Sequence, residues 1–77
     1  MKNNARHLNS YKILGKNIRN LREAKNISQE ELAFSILSTR NYIGCIERAE
    51  KFPSLAMILD IAKALDCKLN DLFFNIL

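Results

Sequence analysis

Seventy-seven residues leave room for one small domain, which excludes a multidomain enzyme. An apolar fraction of 48% beside 26% charged residues fits a globular chain and argues against wholesale disorder. The balance of 12 Lys and Arg against 8 Asp and Glu gives +4, which suggests a polyanionic partner. That excess is concentrated at one end: residues 1–25 hold seven Lys and Arg against the single acid Glu23, and the rest hold five against seven. Two glycines and one proline point to helices, because a small all-β fold needs many turns built on those residues.

Met1 to Asn9 is polar and basic with a single leucine, so residues 1–9 are expected to be a flexible tail before a domain spanning 10–77. This opening lacks the apolar core of a secretion signal, and no apolar run is long enough to span a membrane. A cytoplasmic, membrane-free protein is expected. From Ser10 as N-cap, Leu14, Ile18 and Leu21 recur at helical spacing on one face of a first helix. Lys25-Asn26 ends it, since Asn tolerates the left-handed backbone of a helix stop and Ile27 packs over it.

Ser28 with Glu31 three residues later spells a capping box for a short second helix, whose buried stripe is Leu32, Ala33 and Ile36. Ser38-Thr39 carries the next capping signal, and a third helix runs from about Arg40 to Arg48 with Ile43 and Ile46 inward. Pro53-Ser54 opens a fourth with the core stripe Leu55, Ile58, Leu59, Ala62 and Leu65. A last turn or two holds Leu69, Leu72 and Phe73. The expected fold is all-α: five short helices in one compact domain.

Two short helices joined by a tight turn, the second bearing Arg and Asn near its start, are the elements of a helix-turn-helix. The segments Leu14-Gly15-Lys16-Asn17-Ile18-Arg19-Asn20-Leu21-Arg22, Ser28-Gln29-Glu30-Glu31-Leu32-Ala33, Tyr42-Ile43, Ile46-Glu47-Arg48, Pro53-Ser54-Leu55 and Ile61-Ala62-Lys63-Ala64-Leu65 resemble the phage repressor and Cro family, also called the Xre family. The resemblance runs in register over roughly residues 13–73 and implies a lambda-repressor-like domain that binds double-stranded DNA. It implies that the third helix enters the major groove, with Arg40, Asn41, Gly44 and Cys45 at the base-reading positions. Arg and Asn suit that role, since they pair bidentately with guanine and adenine, whereas Gly44 offers only close approach.

The same resemblance places Gln29, Thr39 and Tyr42 at backbone-contacting positions, and Arg22 with Glu47 at an internal ion pair joining the first and third helices. Lys16, Arg19 and Arg48 are expected to meet phosphates, although Lys16 and Arg19 read equally as a solubility face. The family usually carries Gly where this chain has Leu37 and Ala49, so both turns must be made by residues with a Cβ.

His7 belongs to the tail, and one His with two Cys 22 residues apart matches no zinc spacing. No metal, cofactor or small-molecule ligand is expected. Cys45 reads as solvent-accessible and Cys67 as a small core residue. Catalysis lacks a nucleophile beside a base, so no catalytic residue is assigned.

Apolar residues exceed what one small core can use: Met57, Ile61 and Ala64 form a second stripe on the fourth helix, and the chain ends Leu72-Phe73-Phe74-Asn75-Ile76-Leu77. A homodimer is expected, with Met57, Ile61, Leu69, Phe73, Phe74, Ile76 and Leu77 at its interface, unless the tail folds back onto its own domain. The resulting reading is a transcriptional regulator acting as a homodimer on a palindromic or near-palindromic operator. With no sensor domain, its control would come from concentration, operator arrangement and dimerisation. Its economy resembles the controller proteins of restriction-modification systems; the alternatives are a small phage repressor, or an antitoxin or other protein-interaction module whose DNA binding is secondary.

Overall fold

The computed structural model describes residues 6–76, and Leu77 and residues 1–5 lie outside them. The described residues form α1 (Leu8–Ala24), α2 (Gln29–Ser35), α3 (Arg40–Glu47), α4 (Leu55–Ala64) and α5 (Leu69–Leu72). No helix among them is long and apolar enough to cross a membrane.

Capping follows the sequence at three starts. Ser28 Oγ accepts from the Glu31 amide at 2.9 Å while the Ser28 amide donates to Glu31 Oε1 at 2.8 Å, so each satisfies a backbone or side-chain group of the other. Thr39 Oγ1 accepts from the Tyr42 amide and Ser54 Oγ from the Met57 amide, both at 3.1 Å. The start of α1 differs from expectation. Helix begins at Leu8 with His7 in the cap position and no side-chain cap, so Ser10 lies inside the first turn and the boundary at residue 10 moves forward. Half-buried Leu8, together with Tyr11 packed edge-on against Phe52 with ring centroids 4.4 Å apart, anchors this turn to the domain.

Four helices end by one device. Asn26, Leu37, Ala49 and Asp66 follow α1 to α4 with φ of 58°, 56°, 59° and 51°, and the next residue's amide reaches back to the final turn. The amides of Ile27, Ser38, Glu50 and Cys67 donate to the carbonyls of Arg22, Ala33, Cys45 and Ala62 at 3.0, 2.8, 2.7 and 3.0 Å. These are Schellman stops made without glycine. Asn and Asp tolerate this conformation, whereas Leu37 and Ala49 bear its steric cost. Leu37 is 95% exposed, so its side chain contributes no packing to offset that cost. Leu37→Gly is therefore expected to raise stability by about 0.5–1 kcal/mol, the difference between steric relief and glycine's larger unfolded-state entropy. Thermal unfolding should show a midpoint a few degrees higher.

The core joins Leu14 and Ile18 of α1, Leu32 and Ala33 of α2, Ile43 and Ile46 of α3, Ile58, Ile61 and Ala62 of α4, Leu65 and Leu72. The expected stripe on α4 is rotated. Leu55 and Leu59 are 64% and 42% exposed, whereas Ile61 is fully buried, so Ile61 belongs to its own chain's core and is withdrawn from the interface set. An apolar-rich helix can seat either of two overlapping i, i+3, i+4 stripes, and here packing against α2 and α5 in the shared core selects Ile58, Ile61, Ala62 and Leu65. Met57 and Ile76, expected at the interface, are partly buried against the same core.

The C-terminal segment does fold back on its own domain. Asn17 Nδ2 on α1 donates to the carbonyls of Leu72 at 2.7 Å and Phe74 at 2.9 Å, groups that the short α5 leaves without intrahelical partners. Phe74 nevertheless remains 64% exposed, with Phe73 and Leu69 at 38% and 36%.

Candidate nucleic-acid interface

The frame of the site is a buried polar cluster. Arg22 Nε donates to Glu47 Oε2 at 2.7 Å and Nη2 to Oε1 at 3.1 Å, while Nη1 donates to the Ile27 carbonyl at 2.7 Å. The two side chains are only 8% and 3% exposed, and the hydrogen bond to Glu47, ahead of its charge, holds the Arg22 guanidinium above its ordinary pKa. Gln29 Nε2, from the first turn of α2, donates to Glu47 Oε1 at 3.0 Å. One carboxylate thus ties α1, α2 and α3 together, and the fork geometry fixes their angles as well as their spacing.

Backbone approach fixes the spacing further. A Cβ at Gly15 would lie 2.5 Å from the Ile46 carbonyl oxygen and 2.6 Å from that of Glu47, so α1 and α3 meet main chain to main chain at this point. Glycine is required there for lack of space, with no special backbone angle involved.

On the outer surface Gln29, Arg40, Asn41, Gly44 and Arg48 line one cleft of about 150 Å³. Asn41, Gly44 and Arg48 are spaced i, i+3, i+7 and share a face. Arg40 and Asn41 are exposed in the first turn of α3, held there by the Thr39 cap. Arg40 also borders a neighbouring cleft of about 410 Å³ with Arg19, Arg22, Ser28, Gln29 and Glu30.

Several of the expected contact residues also have partners within the fold. Gln29 Nε2 donates to Glu47, Thr39 Oγ1 accepts from the Tyr42 amide of its own helix, and Tyr42 is partly buried against the core. Arg19 is exposed but pairs with Glu23 at 3.1 Å. Lys16 is exposed and lines neither cleft. Cys45 departs from expectation: it is 9% exposed rather than solvent-accessible, and Arg48 Nη2 lies 3.8 Å from its sulfur. Cys45 lies one turn on from Asn41 on the same side of α3, and the Arg48 side chain, three residues further, lies against its sulfur. Cys67 is half-buried against the core, as expected, and burial, followed by the charge of Asp71, pushes its thiol pKa up, which makes it a poor nucleophile.

One partner was not legible in the sequence. Arg48 Nε and Nη2 donate to Glu50 Oε2 and Oε1, each at 3.1 Å. That hydrogen bond, with the charge behind it, raises the Arg48 pKa and lowers that of Glu50. Residues two apart on a helix do not face each other, but the left-handed turn at Ala49 swings Glu50 back beside Arg48.

A family model described as helix-turn-helix matches residues 18–72. The chain is 43% identical over 54 residues to the control protein C.SmaI of Serratia marcescens, covering 70% of this chain and 64% of that protein. It is 43% identical over 61 residues to the control protein C.BamHI of Bacillus amyloliquefaciens, covering 78% of this chain and 75% of that one. The crystal structure of the restriction-modification controller protein C.AhdI from Aeromonas hydrophila superposes with a TM-score of 0.83 at 42% identity, covering 87% of this chain and 97% of that chain. The chain spans somewhat less than two thirds of the Serratia relative's length. In sequence and in fold, this chain belongs to the helix-turn-helix family, with the control proteins among its relatives.

Proposed function

We propose that the protein is a sequence-specific DNA-binding transcriptional regulator of the restriction-modification controller type, acting as a homodimer. The observation that carries this reading is the exposed pair Arg40 and Asn41 at the start of α3, presented on a frame held by Arg22, Glu47 and Gln29. In the major groove Arg40 would donate a fork to guanine and Asn41 would both donate to and accept from adenine. Lys16, Thr39 and Tyr42 would serve phosphates around that reading head, with Arg19 contributing the guanidinium donors that its pair with Glu23 leaves free. The names of the control-protein relatives support the same reading.

Dimerisation is supported by the apolar side chains that the core leaves outside. Leu69, Phe73 and Phe74 stay in the interface first expected and Leu55 and Leu59 of α4 join them, since each is more than a third exposed and large exposed apolar patches mark interaction surfaces. Two copies related by a two-fold axis would present their α3 helices about 34 Å apart, one turn of DNA.

Selection of bound sequences from random duplexes tests both parts together. The expected result is two inverted half-sites spaced by about one turn; enrichment of no sequence, or of an unrepeated one, counts against the proposal. Within that assay Arg40→Ala should cost about 1–3 kcal/mol at one position of each half-site and leave the others readable. An unchanged preference would remove Arg40 from base reading.

A further inference from the structure

We infer that Arg48 is a third base-reading residue, selecting guanine, and that Glu50 is the positioning residue that holds it over the cleft. This rests on the DNA-binding reading above and assigns Arg48 a different task from phosphate contact.

Three observations converge. The first is place: Arg48 shares the 150 Å³ cleft with Arg40 and Asn41 and follows Asn41 and Gly44 along the same face of α3. The second is orientation. Glu50 engages Nε and Nη2, one edge of the guanidinium, at 3.1 Å on both sides. Nη1 has no hydrogen-bond acceptor among the described residues, and the second Nη2 hydrogen meets only the weak acceptor Cys45 Sγ at 3.8 Å. The Nη1 and Nη2 edge is therefore unclaimed by any carboxylate; it rests over Gly44 and Cys45 at the wall of the cleft, and its two donors would match guanine O6 and N7 once a base displaces the weak sulfur contact. The third is room. Nη1 lies 2.9 Å from the point where a Cβ at Gly44 would stand, so the glycine supplies the space that lets the guanidinium lie along α3. Gly44 thus acts through Arg48, where the sequence alone suggested close approach of its own backbone.

A phosphate-binding arginine gains nothing from an acidic partner, because the carboxylate repels the phosphate it should approach. A base-reading arginine gains from it: the fork removes rotamer freedom before binding, and the paired charge discourages transfer to the backbone. Glu50 is exposed alongside Arg48, with side chains 55% accessible each, so the pair can be changed with the domain still folded.

The test is sequence selection with the full chain, followed by affinity for the selected operator and for single-base variants, over a range of salt. Arg48→Lys keeps the charge but cannot make a bidentate fork, and is expected to lose about tenfold discrimination at one position per half-site, leaving the Arg40 position intact. Glu50→Gln should weaken discrimination at that same position several-fold with the salt dependence unchanged. Gly44→Ala, whose new methyl displaces only the far end of Arg48, should do likewise in a protein that melts no lower than the parent. The inference is overturned if Arg48→Lys preserves every preference while Arg48→Ala weakens all sequences alike and lowers the salt slope by about one, the signature of phosphate contact. It is overturned equally if Glu50→Gln raises affinity for all duplexes without altering preference. A parent protein that selects no sequence defeats the regulator reading and this inference together; a selected operator indifferent to Arg48→Lys defeats this inference alone.

Discussion

Replacing Arg22 by Met is expected to destabilise the domain by about 3–5 kcal/mol, because it leaves the Glu47 carboxylate buried without its counter-charge. Glu47 is 3% exposed at its side chain, and the Gln29 amide at 3.0 Å is too weak a donor to compensate. A domain of this length has about 4–12 kcal/mol of stability in all, so the loss amounts to at least about a quarter of it and, at the low end of that range, to the whole. The double variant R22M/E47L should recover most of the loss, since removing both charges also removes the desolvation cost that offsets their attraction. Urea unfolding of the parent, both single variants and the double variant closes the cycle. A loss below about 1 kcal/mol for Arg22→Met would mean that solvent screens the pair as it does at a surface. The double variant should still bind DNA more weakly than the parent, because apolar side chains fill the space without fixing the angle between α1 and α3. The pair supplies geometry more than net stability.

Gly15→Ala is expected to cost at least the upper part of the usual overpacking range of about 1–3 kcal/mol. The added methyl meets the carbonyls of Ile46 and Glu47 at 2.5 and 2.6 Å, and main chain cannot rotate aside as a side chain can. Relief requires α1 and α3 to separate, which stretches the Arg22 to Glu47 fork and tilts the helix that carries Arg40 and Asn41. Thermal unfolding should show a lower midpoint, and operator affinity should fall further than the unfolded fraction explains. Gly44→Ala provides the control. Both glycines are helical and buried, yet a methyl at Gly44 meets only the flexible end of Arg48, so the helix-propensity gain of about 1 kcal/mol is expected to show there. Equal effects at the two sites would refute the steric account.

Helix positions were legible along the chain because capping and periodicity are local. Ser28, Thr39 and Ser54 each cap a helix with their own side chains, and a residue three or four positions away completes each pattern. The left-handed stops at Asn26, Leu37 and Ala49 were equally local, although the latter two required the comparison with glycine in the resembled family. The start of α1 was misread because its support, Phe52 against Tyr11, comes from the far side of the fold.

On the candidate site, local chemistry pointed to Arg40 and Asn41, and periodicity placed them at the start of α3. What periodicity could not settle was α4, where nearly every position is apolar and two stripes satisfy the same spacing. Contact with the other helices seats Ile61 inside and turns Leu55 and Leu59 outward, which moves the proposed dimer surface. The burial of Cys45 and the pairing of Arg48 with Glu50 were hidden for a related reason, since both depend on how the chain turns after Ala49.

The sequence by itself determined the all-helical fold, the helix boundaries to within a few residues and the exposed pair Arg40 and Asn41 at the start of α3, because caps, stops and hydrophobic spacing act over three or four residues. Only the tertiary structure decided which apolar face of α4 is core, how close α1 approaches α3 at Gly15, and where the Arg48 guanidinium lies. Those outcomes turn on contacts between residues distant in the chain or on the direction of a single turn, and neither leaves a periodic trace in the sequence.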